Sequence, residues 1–354
     1  LEFPLEQCNE KIKHFGLEEV KMLGRGTYGL VILYEDKDGF LYAVKYRITE
    51  VGGEYIIDNG NIYSEELITC ICRNVLCMED DCSQSIPNVF EIFICTLEGE
   101  QTEGKFTPLK QYLNVEKYER ERGRDAIILA AVSEYIPESF EDSLNLFATA
   151  MCELVVLFGR KTMPSSKMYS FNMNMSPMRG QLYQILNTLD KLQKGVAFVH
   201  YDLKPDNIRL QNDLYDEECK KQYPETIVDT AGYVTVLIDF GLSRCVNPST
   251  GEVLSGDDII RPFSDSYDTR FIASYIARLV RCIFESQIQI QPVKDFVELI
   301  TAMLEPISVQ QVLSLERSED IRYVNTPQLE GKSPEELLKF PFFKKYAPSQ
   351  GQKK

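Results

Sequence analysis

The chain has 354 residues, 44% of them apolar, and a formal charge of −16. That length exceeds the usual single core, so two lobes are expected, and the acidity argues against nucleic acid or anionic membrane as partners, because phosphates need clustered Lys and Arg. No stretch approaches the roughly 18 apolar residues of a membrane span and no secretory leader stands out, so an intracellular protein, cytoplasmic or nuclear, with basic protein substrates is the expectation.

Residues 18 to 46 alternate in the manner of strands, with Gly24, Gly26 and Gly29 inside a turn and a hairpin at 36 to 39. From 61 to 76 apolar positions recur at helical spacing. Residues 87 to 97 and 125 to 135 read as two further strands, separated by a polar insertion at 98 to 124. Helices are predicted over 139 to 158 and 181 to 199, so the boundary between an N-terminal lobe, 1 to 136, and a C-terminal lobe, 137 to 354, falls at Pro137. Residues 160 to 180, rich in Met, and 211 to 231, polar, read as inserted loops. Strands follow Asn207 and span 234 to 239, and 267 to 343 is mostly helical in pattern. Ten cysteines in a chain this long predict reduced thiols, and Cys70, Cys72, Cys77 and Cys82 suit small core residues better than a zinc site.

Two runs carry chemistry. His200-Tyr-Asp-Leu-Lys-Pro-Asp-Asn207 and Asp239-Phe-Gly241 set out carboxylates, a lysine and a carboxamide in phosphate-transfer order. Asp202 would accept a hydroxyl proton, Lys204 would neutralise the migrating phosphoryl group, and Asn207 with Asp239 would hold magnesium. The glycines at 24, 26 and 29 lie between strands, where backbone N–H groups can approach phosphate oxygens. Lys45, on an apolar strand, wants an anion. Nucleotide phosphates would supply one, and a helix carboxylate would hold the ammonium: Glu66 is favoured over Glu65, because Cys70 and Ile71 follow it with apolar spacing.

The segments Gly24-Arg-Gly-Thr-Tyr-Gly-Leu-Val31, Ala43-Val-Lys45, Glu134-Tyr-Ile136, the 200 to 207 run and Asp239-Phe-Gly241 resemble, in that order, the eukaryotic protein-kinase family, over about residue 18 to Tyr346. The resemblance implies an α+β, bilobal kinase-like fold, with a β-rich N-lobe holding one main helix and a mostly helical C-lobe. ATP and Mg2+ are the implied cofactors. Gly24, Gly26 and Gly29 would cover the phosphates and Lys45 would contact them; Val31 and Ala43 would cover the adenine, Ser133 would be a small gatekeeper, and the backbone of Glu134 and Ile136 would meet the adenine edge. Lys204, two residues after Asp202, is what serine/threonine-directed members carry, so the implied reaction is phosphoryl transfer from ATP to protein serine or threonine. His200 and Phe240 would be packing residues.

The chain also departs from that family. Tyr201 stands where an arginine usually anchors a phosphorylated activation loop, which argues against control by loop phosphorylation. No Ala-Pro-Glu follows Asp239-Phe-Gly241, and Asp268 resembles the aspartate that normally lies beyond that motif and steadies the catalytic loop. Such shortened segments resemble haspin-like kinases and kinases of large DNA viruses; in the viral case a host cell or virion would be the setting. Arg209 falls where an apolar residue usually underlies the adenine. Two alternatives use the same residues: a pseudokinase that binds nucleotide or partners without turnover, and a small-molecule phosphotransferase.

Overall fold

A computed structural model describes residues 6–26, 29–49, 64–78, 85–97, 109–122, 126–159, 165–212, 229–230, 232–257, 259–286 and 290–346. The protein is mixed α+β and divides into two units, Leu1–Cys70 with Pro87–Tyr135, and Ile71–Ile86 with Ile136–Lys354. No helix among the described residues is long and apolar enough to cross a membrane.

In the first unit, α1 (Cys8–His14) precedes β1 (Glu18–Gly26), β2 (Gly29–Glu35) and β3 (Leu41–Thr49), and α2 (Ser64–Met78) begins here. Next come β4 (Val89–Thr96), α3 (Leu109–Tyr112), α4 (Val115–Arg122) and β5 (Ile127–Glu134). The five strands form one antiparallel sheet in the order β1-β2-β3-β5-β4. Strand side chains alternate between faces, so Leu30, Ile32, Tyr34, Val44, Tyr46, Ile128, Ala130 and Val132 share one side. Those residues cluster with Cys8 and Ile12 of α1, Leu109 of α3 and Val115 of α4 to make this unit's core. Val31, Ala43, Lys45, Arg47 and Ser133 fall on the other face, away from that core.

The second unit contains β6 (Glu138–Ser139), α5 (Phe140–Gly159), α6 (Ser165–Val196), β7 (Ile208–Asn212), β8 (Tyr233–Leu237), β9 (Arg244–Val246) and β10 (Val253–Ser255). Helices α7 (Tyr267–Leu279), α8 (Arg281–Phe284), α9 (Gln291–Leu304), α10 (Val309–Leu313), α11 (Ile321–Val324) and α12 (Pro334–Leu337) complete it. The start of α5 is set by the apolar run Phe140, Leu144, Phe147, Met151 and Leu154, all buried at helical spacing. Capping boxes at Ser308/Gln311 and Ser333/Glu336 start α10 and α12. Helix α7 is buried on nearly every side, Arg270 included. The Arg270 guanidinium donates to Asn325 Oδ1 at 2.8 Å, to Ser266 Oγ and to the Thr326 carbonyl at 3.1 Å. A charged group is tolerated there because its donors meet acceptors.

Three expectations need correction. Residues 165 to 180 are not a loop but the first half of the 32-residue α6. Methionine forms helix well, Met175 and Met178 bury on one side three residues apart, and interior Pro177 removes one N–H without ending the helix. The 98 to 124 insertion contains α3 and α4, whose Leu109 and Val115 join the core; most of the 211 to 231 insertion lies outside the described residues. The cysteines are not all reduced, since Cys8–Cys95 and Cys152–Cys282 are disulfides. Separations of 87 and 130 residues put these partners beyond any local spacing pattern. Of the four cysteines weighed for zinc, Cys82 lies outside the described residues.

Closing loops this long should stabilise the chain. We expect Cys95→Ser to lower stability by about 2–5 kcal/mol in chemical denaturation, and intact-mass analysis without reductant to find both cystines in the purified protein.

Candidate active site

On the sheet face opposite the core, Val31 pairs across from Lys45, and Ala43 from Ser133. The Ser133 hydroxyl donates to the Ala43 carbonyl at 3.1 Å. Gly29, which pairs with Gly26, has φ +150°, and a Cβ there would stand 2.3 Å from the Tyr46 carbonyl oxygen. Only glycine lets β2 approach β3 so closely. Gly24 lies in open space, and residues 27 and 28 fall outside the described residues. The Glu134 N–H donates to the Asn88 carbonyl at 2.9 Å, and Ile136 is buried in the second unit.

Lys45 Nζ lies 2.6 Å from Glu65 Oε1, which corrects the expectation that Glu66 holds it. Glu66 pairs instead with Arg47 at 2.6 Å, and Arg47 also reaches Glu65 at 3.1 Å. The cause is Arg47. Two positions after Lys45, it shares the same strand face and presents a second cation to the first turn of α2, so each of the two adjacent carboxylates takes its own cation. Burial pushes the Glu66 carboxyl upward against the pull of Arg47, with Glu65 adding to the rise.

In the second unit, the 200 to 207 loop is held by Asp268, a fully buried side chain at the start of α7. Its carboxylate accepts the His200 N–H at 2.7 Å and the Tyr201 N–H at 3.0 Å. Burial pushes this carboxyl upward, opposed by His200 and by those two N–H groups. His200 Nε2 bonds the Ile238 carbonyl at 3.0 Å and its ring lies 5.4 Å from that of Phe240, so both residues pack as expected. Tyr201 has φ +64°. Its hydroxyl donates to the Pro262 carbonyl, while its ring meets Tyr267 at 4.9 Å and the Arg261 guanidinium at 5.4 Å. Arg261 in turn grips Asp257 with two bonds of 2.6 Å.

Beyond that clamp, the Asn207 amide donates to the Asp202 carbonyl at 2.9 Å and to Asp202 Oδ2 at 3.1 Å, the same oxygen that Lys204 Nζ reaches at 3.1 Å. The amide nitrogen is thereby committed, and the amide oxygen is left as a hard ligand of the kind Mg2+ takes. Strands β7 and β8 bring the second oxygen donor alongside: the Ile238 N–H bonds the Asn207 carbonyl at 3.0 Å, and Asp239 comes next, with φ +63°. Asn207 and Asp239 are the oxygen donors that would hold a divalent cation here, which would neutralise charge on nearby phosphates. Arg209 sits on β7 between Ser139 and Val236, half-buried, and its charge lowers the pKa of Glu141. That carboxyl is nonetheless raised to about 7, first by a hydrogen bond with Asp206.

Compared with protein-family models and with curated proteins, the chain has no match. Sequence reasoning missed Arg322 of α11, whose guanidinium donates to Asp202 Oδ1 across 120 residues; no motif or spacing marks it.

Two outcomes follow from these contacts. Asp268→Asn leaves one of two loop N–H groups facing an amide NH2 and should cost about 1–3 kcal/mol in denaturant titration. Glu141 should titrate near pH 7 by carboxyl NMR, holding its proton below that pH; Asp206→Asn should return the midpoint toward the ordinary carboxylate range.

Proposed function

We propose that the protein transfers the γ-phosphoryl group of ATP to serine or threonine hydroxyls of proteins, as a bilobal kinase. The observation that supports this most is the Asp202 loop: one carboxylate, a lysine and an asparagine tied together within six positions, with Asp239 brought next to Asn207 by strand pairing. In this reading Asp202 orients the acceptor hydroxyl and takes its proton as the oxygen attacks the γ-phosphorus. The bond from phosphorus to the bridging oxygen breaks and ADP leaves. Lys204 neutralises charge on the migrating group. Magnesium held by Asn207 and Asp239 would supply charge neutralisation on the phosphates. Lys45, kept in place by Glu65, contacts the phosphates, with Gly24, Gly26 and Gly29 offering backbone N–H groups; Val31, Ala43, Ser133, Glu134 and Ile136 serve the adenine.

A second reading, a nucleotide-binding pseudokinase without turnover, draws on one observation: Arg322 occupies an oxygen of Asp202. Incubation with γ-labelled ATP, magnesium and a protein mixture separates the two, because a pseudokinase labels nothing. Asp202→Asn is expected to lower turnover on the order of 10²–10⁴-fold while the variant still folds, judged by its circular-dichroism spectrum. Glu65→Gln should lower turnover more than Glu66→Gln, since Glu65 lies 2.6 Å from Lys45 Nζ whereas Glu66 pairs with Arg47. Turnover by Asp202→Asn equal to that of the unaltered protein would overturn the proposal.

A further inference from the structure

The two oxygens of Asp202 are used differently. Oδ2 accepts from Lys204 and Asn207, both in its own loop, so Oδ1 is the oxygen left for an incoming hydroxyl. That oxygen is taken by Arg322. The side chain of Asp202 is 9% exposed and that of Arg322 is 50% exposed, so the arginine can swing into solvent without any backbone movement.

The placement of Arg322 is built rather than incidental. Ile321, just before it, is fully buried in a cluster with Tyr201, Tyr267 and Phe271. Asn325, three residues after it, accepts from Arg270 at 2.8 Å and donates to the Tyr267 carbonyl at 3.1 Å. The short helix α11 is thus pinned on both sides of Arg322 to the same helix, α7, that holds the 200 to 207 loop through Asp268. The neighbouring cation Arg278 is spent on the Leu315 and Arg317 carbonyls.

Resting on the kinase reading above, we propose that Arg322 is a displaceable latch on Asp202 that sets substrate choice, favouring acceptor hydroxyls flanked by an anionic side chain. A neutral hydroxyl that reaches Oδ1 replaces a charge-assisted hydrogen bond with a weaker one. A substrate carrying a carboxylate or a phosphate beside the hydroxyl offsets that loss by taking the released guanidinium, which suits both anions. The net charge of −16 would favour basic substrates instead, but screening limits such long-range attraction to about 8 Å at physiological salt. Contact between Arg322 and the substrate operates inside that distance and outweighs it.

The test uses the full chain and matched serine peptides whose flanking residue is Glu, phosphoserine or Gln. The unaltered protein should prefer the two anionic peptides over the Gln peptide by about tenfold in kcat/KM, equivalent to about 1.4 kcal/mol, mainly through KM. Arg322→Gln should speed the Gln peptide and abolish the preference, and Arg322→Lys should keep part of it. Retention of the preference by Arg322→Gln, or an equal fall on all peptides, overturns the latch and leaves the kinase reading standing, provided Asp202→Asn still removes turnover. If the unaltered protein and Arg322→Gln both melt normally and neither labels any peptide or protein, the kinase reading fails, and the latch with it.

Discussion

The carboxylate of Asp268 is the contact from which the candidate site is built. It is wholly buried, a setting in which an ionised group is costly unless paired, and its two oxygens are paired with consecutive backbone N–H groups of His200 and Tyr201. Those bonds hold Tyr201 in the left-handed region, which for a residue with a Cβ costs roughly 1–2 kcal/mol. The turn they enforce leads into Asp202, and the loop then closes on itself through Asn207. The same helix, through Arg270 and Asn325, fixes α11 and hence Arg322. One buried helix therefore positions the carboxylate and the guanidinium that meets it.

The first unit obeys a simpler constraint, the two-residue period of a strand. Once Val44 and Tyr46 enter the core, Lys45 and Arg47 must face the other way, and both then need anions. Adjacent Glu65 and Glu66, in the first turn of α2, supply them. Their mutual repulsion is offset because each also has a cation, and removing either cation would leave a buried carboxylate exposed to its neighbour.

What could be read from the sequence was what depends on neighbours along the chain. Alternation gave away the strands, apolar spacing the helices from Ser64 and Phe140, and the run around Asp202 the side chains that its loop ties together. What failed depended on residues distant in sequence. Choosing Glu66 for Lys45 followed the apolar face of α2 correctly but left out Arg47, whose charge reassigns the pair. The disulfides join cysteines too far apart for spacing to suggest them. The Met-rich stretch reads as a loop, whereas in the structure burial of Met175 and Met178 outweighs the one hydrogen bond lost at Pro177. Arg322 could not be found at all, because an arginine on a four-residue helix has no local signature.

Tyr201 holds the segment beyond Gly241 without added charge. On the kinase reading an arginine there would require an anion, supplied by modification. A phenol needs only an acceptor. Burial pushes the Tyr201 hydroxyl up to about 12, so it stays protonated at every physiological pH and keeps donating to the Pro262 carbonyl. The positive charge near it, on Arg261, is already met within the segment by Asp257, whose carboxyl is held low against its burial chiefly by that arginine. The anchor is thus internal and permanent. On the kinase reading, control by an added phosphate would find Arg261 already paired, and under the latch proposed above regulation would rest instead on a contact that substrates break, that of Arg322 with Asp202.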